Sequence, residues 1–475
     1  MHSSRRAPVP ARLGAVAASL ALVVVSACSG GTASNLVPAP EGIGDPYYPS
    51  DGNRGYDVLR YAVTTTYDPA ASGFTSTTRI SARATSHRMS LDLDLEPSVT
   101  VSRVTVDSVA ATFTRAEPHE LVIRPSIPLV PGRVLDIVVS HHGAVGESGP
   151  FSGWHPLSGG GGVMAGEPHS CAYWYPCNDH PTDKATFRLT ATVPARFTVV
   201  SNGLEGPTST AGSGASATAT YRWHLDTPTA TYLTTILVDE LTVRRSTLAD
   251  GTPVVDAYSP GAWAQVVNES RLPAILALLS QKFGPYPAPA AGGLFVDATV
   301  GFSLETFTRP VYTDRVGVTT IVHENAHQWW GDNVSVRRWK DVCFNECMAS
   351  YAQWLWREHG GVDLDDFYRR TVDRLDFGVS IYDMGPGQEF TYQGVYLKGA
   401  YFEHALRRLI GDDTRYFDAL QGIQSDFAGA NMGMVEFRDE LSRRTRVNLT
   451  RFWQEWVLSV GRPSAENLFP GTLGG

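Results

Sequence analysis

The stretch from Ile321 to Glu346 reads IVHENAHQWWGDNVSVRRWKDVCFNE. Residues four apart lie on one face of a helix, so His323 and His327 can offer two imidazole nitrogens to one metal ion, with Glu324 beside them. Tetrahedral catalytic zinc takes three protein ligands and leaves a fourth position open, so a third ligand must come from another segment. Glu346 follows His327 after eighteen intervening residues and lies in a second predicted helix. The spacing therefore predicts a zinc site formed by His323, His327 and Glu346.

A zinc site of this kind is suited to peptide hydrolysis. The metal activates a water molecule, and Glu324 is placed to take the water's proton and later deliver it to the leaving amine. A tyrosine hydroxyl is a good donor to the oxyanion, but composition cannot select one of the 19 tyrosines. The alternative interpretation is a chance match on an ordinary amphipathic helix.

The first residues predict a secretory signal peptide. Three arginines precede an apolar run from Leu13 to Ala27, which is shorter than the roughly 20 residues that cross a membrane. The run ends in Val-Ser-Ala-Cys and resembles the bacterial lipobox, so Cys28 is the predicted lipid anchor; the alternative is a secreted protein with a chance cysteine. Residues 1–27 are the predicted signal peptide, and residues 28–52, rich in Gly, Ser, Pro and Ala, a tether. The predicted location is the outer face of the bacterial cytoplasmic membrane.

The charge of the chain argues against nucleic acid as a partner. Residues 1–27 contain three arginines and no acidic residue, so their removal takes the formal net charge from -9 to -12. An acidic surface repels a phosphate backbone, so nucleic acid is not an expected partner. An acidic surface mildly favours the cationic free N-termini of peptides as ligands, and the lipid anchor makes a bilayer an expected partner.

Hydrophobic periodicity divides the remaining chain into two parts. Met89, Leu91, Leu93 and Leu95 alternate with polar residues, the period-two pattern of a half-buried strand, and similar short runs are separated by turn residues. Helical patterns begin after this β-rich part. Roughly 445 residues are too many for one core, so the sequence predicts an α+β multidomain fold, with an all-β domain at residues 53–245 and a mainly helical domain at residues 246–475.

Four further cysteines, an even number in an exported chain, predict disulfide bonds. Cys343 and Cys347 are one helical turn apart, which makes a bond between them awkward on a regular helix. Of the three possible pairings, we favour crosslinks from Cys171 and Cys177 to Cys343 and Cys347, which would fasten the β domain to the zinc helix. The alternative is a second zinc ion bound by these four cysteines.

The segment His323–Gly331, followed by Asn345-Glu346, resembles the zinc motif of the aminopeptidase N family of gluzincin peptidases. Three other segments agree with that family. Gly301 to Thr306 resembles its Gly-x-Met-Glu-Asn loop, Val395 to Ala400 its Tyr-x-Lys-Gly element, and Tyr175 to Pro181 its Phe-Pro-Cys-x-Asp-x-Pro segment. The resemblance extends from about residue 55 to Pro463.

The resemblance implies a saddle-like N-terminal β domain followed by a thermolysin-like, mainly α catalytic domain, without the family's C-terminal helical domain. It implies one zinc ion per chain, held by His323, His327 and Glu346. Glu324 would be the general base.

The resemblance also implies a substrate site. Tyr396 would stabilise the tetrahedral intermediate, while Glu305 and Glu167 would bind the free α-amino group of the substrate. The implied function is a zinc-dependent aminopeptidase that hydrolyses the N-terminal peptide bond with a metal-activated water. A zinc metallo-endopeptidase and a catalytically quiet envelope binding protein are the alternatives.

Several residues depart from the family's pattern. Gln353 replaces a glutamate seven residues after the ligand Glu346, Thr306 replaces an asparagine, and Cys347 replaces a glycine. Asn325 stands where an apolar residue is usual. None of these changes removes a ligand or the base. Asp341 is a candidate acceptor for a ligand histidine.

Overall fold

The computed structural model describes residues 42–474, apart from residues 72, 117, 147, 150, 267–269, 298–299 and 314. The predicted signal peptide and the predicted anchor Cys28 lie outside the described residues. Within the described part of the chain, no helix is long and apolar enough to cross a membrane.

Strands make up most of the first half of the described chain. In chain order they are β1 (Tyr56–Asp68), β2 (Gly73–Ala84), β3 (Leu91–Asp94), β4 (Thr100–Val106), β5 (Val109–Ala110), β6 (Thr112–Ala116), β7 (Glu120–Arg124), β8 (Val134–Ala144), β9 (Ser148–Gly149), β10 (Ser152–Pro156), β11 (Gly162–Met164), β12 (Ala185–Pro194), β13 (Thr198–Ser201), β14 (Leu204–Glu205), β15 (Ser209–Ala211), β16 (Thr218–Thr229) and β17 (Ile236–Asp239).

These strands form three sheets. The largest has nine strands in the order β14-β16-β12-β1-β2-β8-β4-β5, with β15 beside β16. Only β1 and β12 run parallel within it. A five-stranded sheet, β13-β17-β11-β10-β9, and a three-stranded sheet, β3-β7-β6, complete the mainly β region that the sequence predicts.

The central strand β1 shows why the sequence folds this way. Tyr61, Val63 and Thr65 point to the core and alternate with outward-facing residues, which is the period of a strand with one buried face. A bulge between Val58 and Arg60 shifts this alternation by one residue. The alternation predicted for residues 89–95 is confirmed only in part. The strand β3 begins at Leu91, so Met89 is exposed, and Asp94, predicted to face outward, is buried.

A second region starts with a four-stranded sheet, β18 (Thr242–Thr247), β19 (Pro253–Tyr258), β20 (Ala291–Phe295) and β21 (Val311–Tyr312). The change from one sheet to the next therefore lies between Asp239 and Thr242. Two short strands, β22 (Ser335–Val336) and β23 (Asn431–Met432), pair in parallel.

Helices form most of this second region. They are α1 (Leu272–Phe283), α2 (Val318–Ala326), α3 (Cys343–His359), α4 (Leu364–Thr371), α5 (Gly399–Ile410), α6 (Asp413–Asp426), α7 (Met434–Thr445), α8 (Thr450–Trp456) and α9 (Ala465–Leu468), with a π-helix at Tyr392–Lys398 before α5.

An aromatic cluster holds the helices that carry the predicted zinc ligands. The ring of Trp330, three residues after His327, lies 5.3 Å from the ring of Phe344 in α3 and 5.7 Å from that of Phe437 in α7. Trp453 in α8 packs on Phe437 at 5.9 Å. These large side chains are fully or almost fully buried, so the ends of α2 and α3 are set by core packing.

The predicted tether ends earlier than expected. From Gly42 onward the chain is packed, with a backbone bridge from Gly42 to Asn53. The buried carboxylate of Asp45 accepts a hydrogen bond from the backbone N–H of Trp339 at 2.8 Å. The Tyr47 hydroxyl donates to Asp383 at 2.9 Å. The segment 42–53 is thus a strap between the β region and the helical region, and the prediction of a tether is wrong for residues 42–52.

The predicted disulfide pairing is wrong. Both bonds are local, Cys171 to Cys177 with a Cα separation of 6.4 Å and Cys343 to Cys347 with 4.8 Å, and both separations fall in the range that a disulfide spans. Helix α3 begins at Cys343, where the preceding turn does not yet fix the backbone, so the two Cα atoms can approach. The alternative of a second zinc ion on these cysteines fails because their sulfurs are bonded to each other.

Candidate active site

Helices α2 and α3 bring the three predicted zinc ligands together. The Nε2 atoms of His323 and His327 are 3.2 Å apart. Oε2 of Glu346 lies 3.0 Å from Nε2 of His323 and 3.5 Å from Nε2 of His327. Zinc bonds of about 2.0–2.2 Å in a tetrahedron place neighbouring ligand atoms roughly 3.3–3.6 Å apart. The three side chains therefore fit one zinc ion to within a few tenths of an ångström.

The second nitrogen of His327 is held by the backbone. Its Nδ1 lies 2.9 Å from the carbonyl oxygen of Trp330. A carbonyl can only accept, so Nδ1 carries the proton and Nε2 is left free to bind a metal. Asp341 does not serve as the acceptor for a ligand histidine. Its carboxylate accepts a hydrogen bond from the N–H of Met434 at 2.9 Å, at the start of α7.

Electrostatics in the ligand cluster favour an ionised carboxylate. Burial raises the pKa of Glu346, but the imidazoles of His327 and His323 outweigh burial and hold the pKa at about 2. Burial lowers the pKa of His323. For His327, the carboxylates of Glu346 and Glu305 outweigh burial and raise the pKa well above its ordinary value. A divalent cation would take over the role that this imidazolium fills.

Glu324 lies beside the ligands without belonging to the triad. Only 6% of its surface is exposed. One carboxylate oxygen of Glu324, one of Glu305 and one ring nitrogen of His327 all lie within 4.8 Å of one another. Burial raises the pKa of its carboxyl well above the ordinary value, partly offset by His327. A carboxylate with a raised pKa beside a metal site is suited to accept and return a proton.

Glu305 and Glu167 lie close to the ligand cluster. Glu305 is buried, and Oε1 accepts a hydrogen bond from the Tyr232 hydroxyl at 3.2 Å. Burial and then the charge of Glu305 raise the pKa of Glu167 well above its ordinary value. Among the described residues, Oε1 of Glu167 is buried without a hydrogen-bond partner. Two adjacent carboxylates, one of them with an oxygen that no donor reaches, can bind an ammonium group.

Tyr396 separates two cavities. It lies in the π-helix, a form often found at functional sites, and its ring centroid is 5.8 Å from that of His323. On one side it lines a cavity of about 530 Å³ with His323 and Glu324. On the other it lines a cavity of about 540 Å³ with Glu167. Burial and then Glu346 raise the pKa of its hydroxyl well above the ordinary value, so the hydroxyl keeps its proton at neutral pH.

Gly399 controls how closely the helix after Tyr396 approaches α3. A Cβ atom at this position would lie 2.8 Å from Cβ and 3.0 Å from Cα of Cys347. We expect Gly399→Ala to lower the free energy of unfolding by about 1–3 kcal/mol, the usual cost of overpacking, and to reduce kcat by moving Tyr396. Denaturant unfolding and kcat measure the two effects. As a stability control, Gly301→Ala places its Cβ in open space; equal stability of the two variants would contradict the prediction.

Two protein-family models match the chain, one in each of its two regions. The model of the Peptidase M1 N-terminal domain matches residues 59–233, and the model of the Peptidase family M1 domain matches residues 307–456. Together they span more than half of the chain. The chain belongs to the M1 peptidase family.

Individual M1 peptidases show the same relationship. Aminopeptidase N from Homo sapiens is 28% identical over 231 residues, which are 42% of this chain and 24% of that protein. This chain therefore spans about a quarter of the length of that relative. The M1 zinc metallopeptidase from Deinococcus radiodurans has a TM-score of 0.81 at 26% identity, covering 89% of this chain and 98% of that chain. A two-domain M1 zinc metallopeptidase bound to L-arginine matches with the same TM-score at 25% identity and the same coverage.

Two departures of this M1 peptidase from the family pattern are explained by local hydrogen bonds. The side-chain amide of Asn325, buried inside α2, donates to the hydroxyl of Tyr312 at 2.9 Å and to a backbone carbonyl one turn earlier at 2.8 Å. The hydroxyl of Thr306 donates to the carbonyl of Arg309 at 2.6 Å. Both polar side chains are satisfied without touching the zinc ligands.

The other two departures lie on α3. Gln353 lines the cavity shared by His323 and Tyr396, and its amide donates to the backbone carbonyl of Thr319 at 3.1 Å. This M1 peptidase thus has a neutral group where the family has a carboxylate. The sulfur of Cys347 is bonded to that of Cys343.

Sequence reasoning missed several residues that position the site. Gln328 donates to Oδ2 of Asp332 at 2.7 Å and to the carbonyl of Glu305 at 3.1 Å. Lys184, immediately before β12, donates to the backbone carbonyls of Asp332 and the next residue at 3.0 Å each. Tyr232 binds Glu305 directly. Gln328 lies inside a quoted motif and Lys184 lies three residues after another, whereas Tyr232 belongs to none of them.

Proposed function

We propose that this M1 peptidase is a zinc-dependent aminopeptidase that hydrolyses the N-terminal peptide bond of peptides. The observation that carries the proposal is the ligand triad His323, His327 and Glu346, whose spacing fits one zinc ion. The carboxylates of Glu305 and Glu167 lie beside it, and Oε1 of Glu167 has no hydrogen-bond partner among the described residues. The family relationship to Aminopeptidase N supports it.

The ligand triad, Glu324 and Tyr396 have separate roles in the proposed hydrolysis. One zinc ion held by the triad supplies Lewis-acid chemistry when bound. Glu324 takes a proton from the attacking water and later returns it to the leaving amine, since its raised pKa lets it hold that proton between the two steps. Tyr396 donates its O–H to the oxygen on which negative charge develops.

Glu305 and Glu167 set where the substrate is cut. An α-ammonium group between these two carboxylates supplies the partner that buried Oε1 of Glu167 lacks among the described residues. Holding the amine at a fixed distance from the zinc ligands brings the first peptide bond to the reacting position. Substrates without a free amine lose this anchor.

Glu305→Gln tests the amine-binding role. Loss of one charge-assisted hydrogen bond to a cation costs about 1.5–3 kcal/mol, so we expect kcat/KM for an aminoacyl coumarin to fall roughly 10- to 100-fold, mostly through KM. The exposed ion-pair residue Glu240, changed to Gln, removes the same charge from the surface and serves as the control. Equal kinetics for Glu305→Gln and wild type would contradict the role.

The two alternatives make different predictions. A metallo-endopeptidase would cleave N-blocked peptides as well as free ones and would tolerate Glu305→Gln. A catalytically quiet binding protein would show no turnover when loaded with zinc. The carboxylate pair beside the triad favours the aminopeptidase over both.

We also propose that the mature chain is anchored by a lipid on Cys28 to the outer face of a bacterial cytoplasmic membrane. The apolar run ending in Val-Ser-Ala-Cys supports this, and two disulfide bonds suit an exported protein.

The anchor is tested by Cys28→Ser in the full chain. We expect the wild-type protein in the membrane fraction with incorporated radiolabelled palmitate, and the variant without the label and released from the membrane fraction. Wild-type protein that carries no label and stays soluble after export would contradict the anchor.

A further inference from the structure

The cavity on the Glu167 side of Tyr396 has aromatic walls and an acidic patch. Its volume is about 540 Å³. Aromatic rings come from several separate segments: Tyr48, Phe151, Tyr173, Phe302 and Phe390. Two carboxylate residues, Glu167 and Glu389, also line it. The proposed zinc-site chemistry uses Glu167 but gives Glu389 no role.

Glu389 is buried and incompletely satisfied. Only 1% of its surface is exposed. One carboxylate oxygen accepts a hydrogen bond from the Tyr48 hydroxyl, and the other, Oε2, is buried without a hydrogen-bond partner among the described residues. A buried carboxylate oxygen without a partner is costly, so a ligand that supplies an N–H donor would be favoured here.

Tyr48 contacts Glu389 and lines the cavity together with both carboxylates. Burial, Glu389 and, more weakly, Asp51 and Glu167 all raise the pKa of the Tyr48 hydroxyl. Both carboxylates therefore act on one phenol. Because Glu167 and Glu389 line one cavity, a molecule whose α-amine is held at Glu167 can extend its side chain into the space that Glu389 borders.

The cation already in the cavity wall does not neutralise Glu389. His169 lines the cavity, but its Nδ1 lies 2.7 Å from Oδ2 of the buried Asp51. Asp51 outweighs burial and raises the pKa of His169 to about 9, so the imidazolium is paired with Asp51 at neutral pH. Among the described residues, Oε2 of Glu389 therefore has neither a hydrogen-bond donor nor a cation paired with it.

We propose that this cavity binds the side chain of the substrate's first residue and selects a cationic one, lysine or arginine, with Glu389 as its counter-charge. The inference rests on the proposed aminopeptidase function. A guanidinium or ammonium group donates to Oε2 of Glu389 while the aromatic rings stack on it or cover its alkyl stem. A leucine or phenylalanine side chain would fill the same walls but leave Oε2 without a donor.

The first test measures kcat/KM of zinc-loaded protein for coumarin amides of arginine, lysine, leucine and phenylalanine. We expect the two cationic substrates to exceed the two apolar ones at least tenfold. Glu389→Gln is expected to reduce the arginine-to-leucine ratio of kcat/KM on the order of tenfold, mainly through KM, because the charged acceptor is lost. Glu466→Gln, which removes an exposed carboxylate outside the cavity, should leave the ratio as in wild type.

A second test separates binding from turnover. Calorimetry on zinc-loaded Glu324→Gln protein gives Kd for L-arginine amide and L-leucine amide, with and without the added Glu389→Gln change. We expect arginine amide to bind more tightly and to lose about tenfold on the added change.

The outcomes are distinct. Turnover that favours leucine or phenylalanine, or an unchanged ratio in Glu389→Gln, overturns the inference and leaves the aminopeptidase proposal standing. Absence of turnover together with Glu389-dependent binding of arginine amide overturns the aminopeptidase proposal and supports the cationic site. If Glu389→Gln does not fold, the substrate preference of the wild-type protein alone decides.

Discussion

Glu324→Gln is expected to lower kcat for an N-terminal residue release about 10³-fold, within the range that a general acid-base group contributes. Glutamine keeps the size of the side chain but cannot accept the proton of the attacking water. The raised pKa of Glu324 has its main cause in burial, which is the environment that a proton-shuttling carboxylate needs near neutral pH. Single-turnover kinetics and zinc content are the measurements.

The zinc content of Glu324→Gln distinguishes loss of the base from loss of the metal. Glu324 stands outside the triad whose atoms lie 3.0–3.5 Å apart, so the variant should bind one zinc ion per chain like the wild type. Near-normal kcat in a zinc-loaded Glu324→Gln variant would remove Glu324 from the mechanism.

Glu346→Ala is expected to abolish both zinc binding and activity. The substitution removes one of three ligands and the only carboxylate of the triad, leaving two imidazoles 3.2 Å apart. Changes to groups that merely support a ligand weaken metal binding about 10- to 100-fold, so loss of the ligand itself should cost at least about 100-fold. Metal analysis after dialysis, and peptide turnover in the same buffer, measure the two losses.

A buried carboxylate elsewhere is the matched control for Glu346→Ala. Glu403 in α5 is buried, its pKa is raised to about 8 by burial, and it accepts a hydrogen bond from Tyr416 at 3.1 Å. Glu403→Ala, the same truncation at this site, should keep the zinc ion. If both variants lose zinc to the same extent, general destabilisation explains the loss and Glu346 is not shown to be a ligand.

Most of what could be predicted about the site came from local sequence patterns. Helical spacing alone predicted that His323 and His327 share one face. The sequence separation of Glu346 from His327 predicted the third ligand, and the structure brings all three together. The β-rich first part followed from period-two alternation, which burial enforces along each strand.

Contacts between distant segments could not be predicted in the same way. The partner of Asp341 is 93 residues away, at the start of α7, and no local pattern indicates it. The disulfide pairing depended on a Cα approach of 4.8 Å in the first turn of α3, which regular helix geometry does not suggest. Glu389 belongs to none of the quoted motifs, and its importance emerges only from burial beside Tyr48.

Amino-acid composition also led to the wrong prediction of a tether at residues 42–52. Gly, Ser and Pro are common in flexible linkers, but the same residue types permit the tight turns of the strap at residues 42–53. There Gly52 has a φ of 67° and lies against His180. The buried Asp45 and Tyr47 were the residues in that stretch that a flexible tether does not require.

Release of the N-terminal residue from short peptides, each supplied free and N-acetylated, with and without a zinc chelator, is the decisive measurement. We expect cleavage of the free peptides only, lost on chelation and restored by added zinc. Equal cleavage of acetylated peptides would contradict the roles of Glu305 and Glu167, and cleavage that survives removal of zinc would contradict the metal site itself.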